Sequence, residues 1–169
     1  MLAFRPEQTG DEASIRELNE QAFGQPNEAN LVDTLRRRGA VVLSMVAIEN
    51  NHVVGHILFT ETIVAEADSQ FRVLGLGPMA VLPSYQRKGI GSGLLERALD
   101  RCRELDYGAV VVIGHPEFYP RFGFVPARLK GIRCEFDVPD EAFMVLELRG
   151  DALDGRSRLI RYQPEFGEV

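Results

Sequence analysis

Cysteine is scarce: the sequence holds two, Cys102 and Cys134, and they fit no metal-binding spacing such as Cys-x-x-Cys. A thiolate metal site therefore lacks its ligand set, and the expectation is a pair of buried, reduced thiols in a cytoplasmic protein. Long apolar runs are missing as well. None approaches the roughly 20 residues that span a bilayer, and "MLAFRPEQTGDEAS" lacks the basic segment and apolar core of a secretory signal. Basic charge is in deficit, with 19 Lys and Arg against 25 Asp and Glu and a net charge of −6. Such a field repels nucleic acid and mildly favours a cationic partner, so neither nucleic acid nor a membrane is expected as a partner. Arg36, Arg37 and Arg38, then Arg87 and Lys88, are the local exceptions, and a charge run of this kind usually forms a solvated face. Repeats, low-complexity tracts and linkers are also lacking. The 169 residues are thus read as one domain, 1–169, long enough to bury a core.

What is present alternates in period. "LAFR" reads as a short strand, and Thr9 with Glu12 three residues on fits a capping box opening a helix through Ile15, Leu18 and Phe23. A second helix spans about Glu28 to Arg38 and stops at Gly39. "VVLSMVAIE" and "HVVGHILFTE" are strands joined by a hairpin turn at Asn50-Asn51. "FRVLGLGPMAVL" is a third strand, in which Gly75, Gly77 and Pro78 predict a bulge or the close approach of another backbone. From Ile90 the apolar positions Leu94, Leu95, Ala98, Leu99, Cys102 and Leu105 line one helical face, ending near Gly108. "AVVVIG" is a strand buried on both faces and parallel to the one before the helix, "FYPRFGF" is a turn or short helix, and "FMVLELRG" and "RLIRYQ" supply late strands. The order predicts an α/β fold with a mixed, mostly antiparallel sheet flanked by helices on both faces.

The stretch "YQRKGIGSGLL" places Gly89, Gly91 and Gly93 where the third helix begins, although glycine in a helix costs roughly 1 kcal/mol against alanine. Strand, glycine loop, then helix directs backbone N–H groups and the positive end of the helix dipole at one spot, a cradle for phosphate. Gly89 and Gly91 allow an anion near the main chain, with Gln86, Arg87 and Lys88 at the rim and the Ser92 hydroxyl beside it. The alternative is that these glycines only permit a tight connection. A P-loop is not matched, because the lysine precedes the glycine in "KGIG", and GxGxxG fails because Gly93 falls one residue early.

The stretch does match Q/R-x-x-G-x-G/A as Gln86-Arg87-Lys88-Gly89-Ile90-Gly91, and in this it resembles the GNAT superfamily of N-acetyltransferases. "MAVLPSYQRKGIGSGLL" is similar to that family's acetyl-CoA strand, loop and helix, "FYPRFGF" resembles its tyrosine motif, and "YQPEF" resembles the tail of a bacterial branch of the family. The resemblance implies the GNAT-like acyltransferase fold. It implies that the amides of Arg87, Lys88, Gly89, Ile90, Gly91 and Ser92, with Gln86 beside them, hold the pyrophosphate of coenzyme A. Backbone groups of Met79, Ala80 and Val81 would bind the pantetheine arm, and an N–H near Ala80 or Val81 would polarise the thioester carbonyl.

Tyr119 matches the family's proton donor to the departing thiolate. A thiol titrates about 1.5 pH units below a phenol in water, so that transfer is uphill by only ~2 kcal/mol. Packing the short helix on the sheet is the plainer role for this ring, and Phe118, Phe122 and Phe124 are read as core. Two features depart from the family: Val112 stands where many relatives carry an asparagine, and "LGLGPMAVL" has no acid to serve as base. A water chain, Glu61, Glu28 or His115 are the alternatives, His115 for its near-neutral titration. His52 and His56 share a strand face but lack a third ligand, so no metal is expected. The implied activity is acetyl transfer from acetyl-CoA to a primary amine of a small molecule or peptide by direct attack. The alternatives are a coenzyme A-binding regulatory module without turnover and an acyltransferase using another acyl-CoA. By resemblance alone, a homodimer paired through late strands is plausible.

Overall fold

A computed structural model describes residues 1–65, 71–150, 152–153 and 157–168. Its strands are β1 (Leu2–Pro6), β2 (Val41–Glu49), β3 (His52–Glu61), β4 (Ile63–Val64), β5 (Val73–Val81), β6 (Ala109–Ile113), β7 (Val125–Pro126), β8 (Ile132–Cys134), β9 (Phe143–Glu147) and β10 (Arg158–Arg161). Three α-helices, α1 (Glu12–Phe23), α2 (Asn27–Arg37) and α3 (Ile90–Arg103), accompany them. Contacts group the residues into two units: Met1–Phe59 with Pro78–Arg101 and the segment from Pro164, and Thr60–Gly77 with Cys102–Gln163.

In the first unit β1 pairs antiparallel with β2, Phe4 opposite Ala47, and β2 turns into β3 through Asn50 and Asn51 at φ +50° and +64°. Asparagine tolerates this left-handed geometry, and two such residues make the turn that suits strand twist. Alternation along β2 serves both faces: Val46 and Ile48 pack with Ile15 of α1 and Leu31, Val32 and Leu35 of α2, while Ala47 lies with Ile90 of α3. Each fully buried aliphatic side chain contributes about 1.5–3 kcal/mol. Phe166 joins the α1–α2 cluster, and the Arg38 guanidinium donates to Glu165, at 2.9 Å for one of the two bonds.

The expected capping box does not form. Asp11 rather than Thr9 begins α1, and its carboxylate turns back to the Arg5 guanidinium (2.7 and 3.1 Å) and the Gln8 N–H, while Glu12 accepts from Gly10 N–H. A charged pair outcompetes a hydroxyl cap. Helix α2 stops as expected, with Gly39 at φ +72° and Ala40 N–H donating to Leu35 O, the Schellman arrangement.

In the second unit β5, β6, β9 and β7 are successive neighbours, β5 with β6 in parallel and the others antiparallel. A separate three-stranded sheet runs β4-β10-β8. Helix α3 ends at Arg103, short of the expected Gly108, because residues 104–108 turn to deliver Gly108 N–H to Arg72 O at the start of β6. The expected irregularity in the third strand falls at Gly77, which adopts φ +147° beside Pro78; nearby, Thr62 N–H donates to Val73 O in the second unit and Leu82 N–H to Val54 O in the first.

Candidate active site

The glycine loop belongs to the first unit. A 3-10 turn, Pro83–Tyr85, leaves β5, and the Gln86 side-chain amide donates to Val81 O at 3.0 Å, folding the loop back on the strand end. Arg87 adopts φ +62°, a left-handed conformation that costs a residue with a Cβ about 1–2 kcal/mol. Strain of this kind is held where the backbone has a task. Gly89 follows at φ +81°, and the first backbone bond of α3 runs from Gly93 N–H to Gly89 O at 3.0 Å. Helix geometry gives the N–H groups before Gly93 no carbonyl one turn back, and Gln86, Arg87, Lys88 and Gly89 are all exposed. Lys88 lies over the Tyr85 ring, 5.3 Å from its centroid.

The three glycines differ. A Cβ at Gly89 would meet nothing within 4 Å, so its φ alone demands glycine. At Gly91 the nearest atom is Val81 Cγ2 at 3.7 Å, an ordinary contact. At Gly93 a Cβ would stand 2.7 Å from Phe4 Cζ, so Gly93 serves the packing of α3 on β1. On β5, Ala80 is buried, Met79 and Val81 are half-buried, and the Val81 carbonyl is taken by Gln86. The β5–β6 ladder ends at Leu76 opposite Val112, just before Gly77 and Pro78, and the Val112 side chain is core.

Tyr119 belongs to the second unit, on a 3-10 turn Tyr119–Phe122 closed by Gly123 at φ +99°. Its ring is buried, edge-on to Phe118 (5.1 Å) and Phe124 (5.5 Å). Burial pushes its phenol up to about 12. Gly114, just past β6, had no assigned role in the sequence, yet a Cβ there would overlap Tyr119 Cε2 and lie 3.2 Å from Cδ2. Of the three phenylalanines read as core only Phe124 is buried; Phe118 and Phe122 are half-buried, their rings tilted by 54° with centroids 5.1 Å apart, and the Arg121 guanidinium lies over both.

Tyr162 was missed too. It is buried, its N–H donates to Glu135 Oε1 at 2.9 Å, and its ring edge comes 3.1 Å from where a Gly75 Cβ would stand. Burial, then Cys134, Tyr119 and Glu135, hold its phenol well above the ordinary value. A tyrosine directly after a four-residue strand gives no periodic signal of its own.

The candidate bases fare differently. Glu61 accepts from Arg72 (2.8 Å) and Tyr107 (2.7 Å), and despite desolvation these bonds hold its carboxyl below the usual range. Glu28 accepts from Gln25, and His115 is exposed with its carbonyl taking the Tyr119 N–H. His52 is exposed, whereas His56 is wholly buried with Nε2 2.9 Å from Ser44 Oγ. Ser44 donates onward to Glu7, which also takes the Arg36 guanidinium, so His56 belongs to a structural network. No three His, Cys, Asp or Glu side chains gather as a metal site among the described residues. Both cysteines are free; Cys102 is buried and Cys134 only half-buried.

The acetyltransferase (GNAT) domain model matches residues 3–127. The chain belongs to the GNAT acetyltransferase family. This GNAT chain is 34% identical over 166 residues to the uncharacterized N-acetyltransferase YhbS of Escherichia coli, covering 98% of each, and 37% identical over 144 residues to the uncharacterized N-acetyltransferase YjhQ of the same species, covering 83% of this chain and 79% of that one. The crystal structure of E. coli YhbS in complex with CoA superposes with a TM-score of 0.92, covering 98% of this chain and 92% of that one. A GNAT acetyltransferase from Brucella melitensis in complex with acetyl-CoA, 30% identical, superposes at 0.81 and covers 98% of both. No helix among the described residues is long and apolar enough to cross a membrane.

Proposed function

We propose that this GNAT chain is a single-domain cytoplasmic enzyme that binds acetyl-CoA and transfers the acetyl group to a primary amine by direct attack, without a covalent enzyme intermediate. The carrying observation is the loop. Arg87 accepts left-handed strain, Gly89 keeps open space, and the first turn of α3 presents its N–H groups, which suits a diphosphate. In this reading the amides of Arg87 to Ser92 bind the pyrophosphate with Gln86, Arg87 and Lys88 at the rim. Backbone groups of Met79, Ala80 and Val81, beyond the end of the β5–β6 ladder, hold the pantetheine arm, and an N–H at Ala80 or Val81 steadies the carbonyl oxygen.

The amine nitrogen bonds to the thioester carbon, the carbon–sulfur bond breaks with its electron pair on sulfur, and Tyr119 gives that sulfur its proton. The ammonium proton of the acceptor leaves to water. With the phenol at about 12 the transfer is uphill by about 5 kcal/mol against a thiol in water, rather than ~2. Burial that raises the phenol raises a thiolate beside it in the same direction, which narrows the gap. Thiol release on an amine panel tests the role: Tyr119→Phe lowers turnover about 100-fold, and unchanged turnover removes Tyr119 from it.

A coenzyme A-binding module without turnover is the second reading, favoured by Glu61 being committed to Arg72 and Tyr107. Calorimetry with tight acetyl-CoA binding and no transfer to any amine or peptide supports it.

A further inference from the structure

Gln86 is exposed at the entrance of the glycine loop, beside the charged pair Arg87 and Lys88. Its side chain turns the other way. One amide N–H reaches back along the chain to Val81 O at 3.0 Å, and because a carbonyl oxygen only accepts, that donor is spent on the end of β5 before any ligand arrives.

The backbone around it shows what such a bond is for. Leu82 N–H to Val54 O (2.9 Å) and Tyr85 N–H to Leu82 O (2.8 Å) secure the base of the loop. Gln86 then leaves the turn extended, at φ −71° and ψ 156°, and α3 takes hold with the bond from Gly93 N–H to Gly89 O. Between these anchors Gln86, Arg87, Lys88 and Gly89 are all exposed, and Arg87 and Gly89 are left-handed, Arg87 with the strain that a Cβ brings. An exposed, strained segment with glycine at 89 and 91 has many other conformations to visit. The bond from Gln86 to Val81 ties it to a strand end that does not move with it.

We infer that Gln86 is a positioning residue: in the free protein it latches the loop onto the end of β5, so that the amides from Arg87 to Ser92 stand aligned before a diphosphate reaches them. The inference rests on the reading of the loop as the diphosphate cradle, and it places the action of Gln86 on the loop rather than on a phosphate oxygen. An unlatched loop spends part of its time misaligned, and affinity falls in proportion to the aligned fraction.

Gln86→Ala removes the side chain, while Gln86→Glu keeps its size and removes the donor. NMR relaxation of the amides of residues 87–92 in the ligand-free protein is expected to show motion gained in both variants, as lower order parameters or exchange broadening, with β2 and β3 unchanged. Calorimetry is expected to find the acetyl-CoA dissociation constant raised about fivefold in Gln86→Ala, the worth of one exposed hydrogen bond. For S-acetylpantetheine, which lacks the diphosphate, titration followed by NMR should move by less than about twofold. A wild-type loop in Gln86→Glu overturns the latch, because shape alone would then suffice. Weaker acetyl-CoA binding in Gln86→Ala with an unchanged loop also overturns it, makes Gln86 a direct ligand and leaves the cradle reading standing. A loosened loop with acetyl-CoA affinity unchanged upholds the latch and overturns the cradle reading.

Discussion

Gly114 and the Tyr119 ring occupy space that only a glycine leaves: a methyl group at position 114 would overlap Cε2 and sit 3.2 and 3.3 Å from Cδ2 and Cζ. Backbone thus defines one side of the slot that holds the phenol. Gly114→Ala is expected to push the ring outward and lower thiol release more than about tenfold, while acetyl-CoA affinity falls little. Ultraviolet titration checks the displacement directly. The Tyr119 phenol, identified by its loss in Tyr119→Phe, moves down from about 12 toward the ordinary value as the ring gains solvent.

The loop glycines separate by what they cost. Gly93→Ala forces Phe4 aside and is expected to destabilise the fold by about 1–3 kcal/mol in urea unfolding, with Phe4→Leu restoring part of it. Gly91→Ala has room and gains helix propensity, so stability rises by roughly 0.5–1 kcal/mol. A bulky residue at Gly91 raises the acetyl-CoA dissociation constant if the loop is the cradle proposed above.

Acid stability follows His56. Burial lowers its imidazole to about 4, against 6.5 in an unfolded chain, with Glu7 opposing the shift and Arg36 adding to it. The folded protein thus declines a proton that the unfolded chain takes up as pH falls below 6.5. The contribution is complete above pH 6.5, is lost on descent toward pH 4, and amounts to roughly 3 kcal/mol. Denaturation between pH 7 and 4 measures it, and His56→Gln flattens the slope. Glu7, held low by Arg36 and Ser44 in spite of burial, adds acid sensitivity only below its usual range.

Glu61 is a clamp among β3, Arg72 and Tyr107. Glu61→Gln is expected to lower the melting temperature by a few degrees and leave the acidic limb of the pH–rate profile in place. Disappearance of that limb would make Glu61 the base after all.

Long periodic elements were legible in the sequence because they bury a face: β2, β3, β5, β6, α1 and α2 lie within a few residues of their expected bounds, and α3 begins where expected and ends five residues early. The Asn50-Asn51 turn and the break at Gly77-Pro78 were legible because few residues adopt those dihedrals. β4, β7 and β8, two or three residues each, are too short to carry a period. The start of α1 was misread because the Arg5–Asp11 pair lies outside any local cap rule. Gly114 and Tyr162 were invisible for a different reason: their importance lies in which ring meets which backbone, a relation between distant positions.

The bond between Arg38 and Glu165 spans 127 positions, and Phe166 beside it fills the cluster under α1 and α2. A core of otherwise early residues thus stays open at one wall until residue 166 has been synthesised. Closing so long a loop costs more entropy than closing a short one, so docking of this last wall is expected late in folding. Pulse-labelled hydrogen exchange during refolding should find α1 and α2 protected only when the Glu165 segment docks.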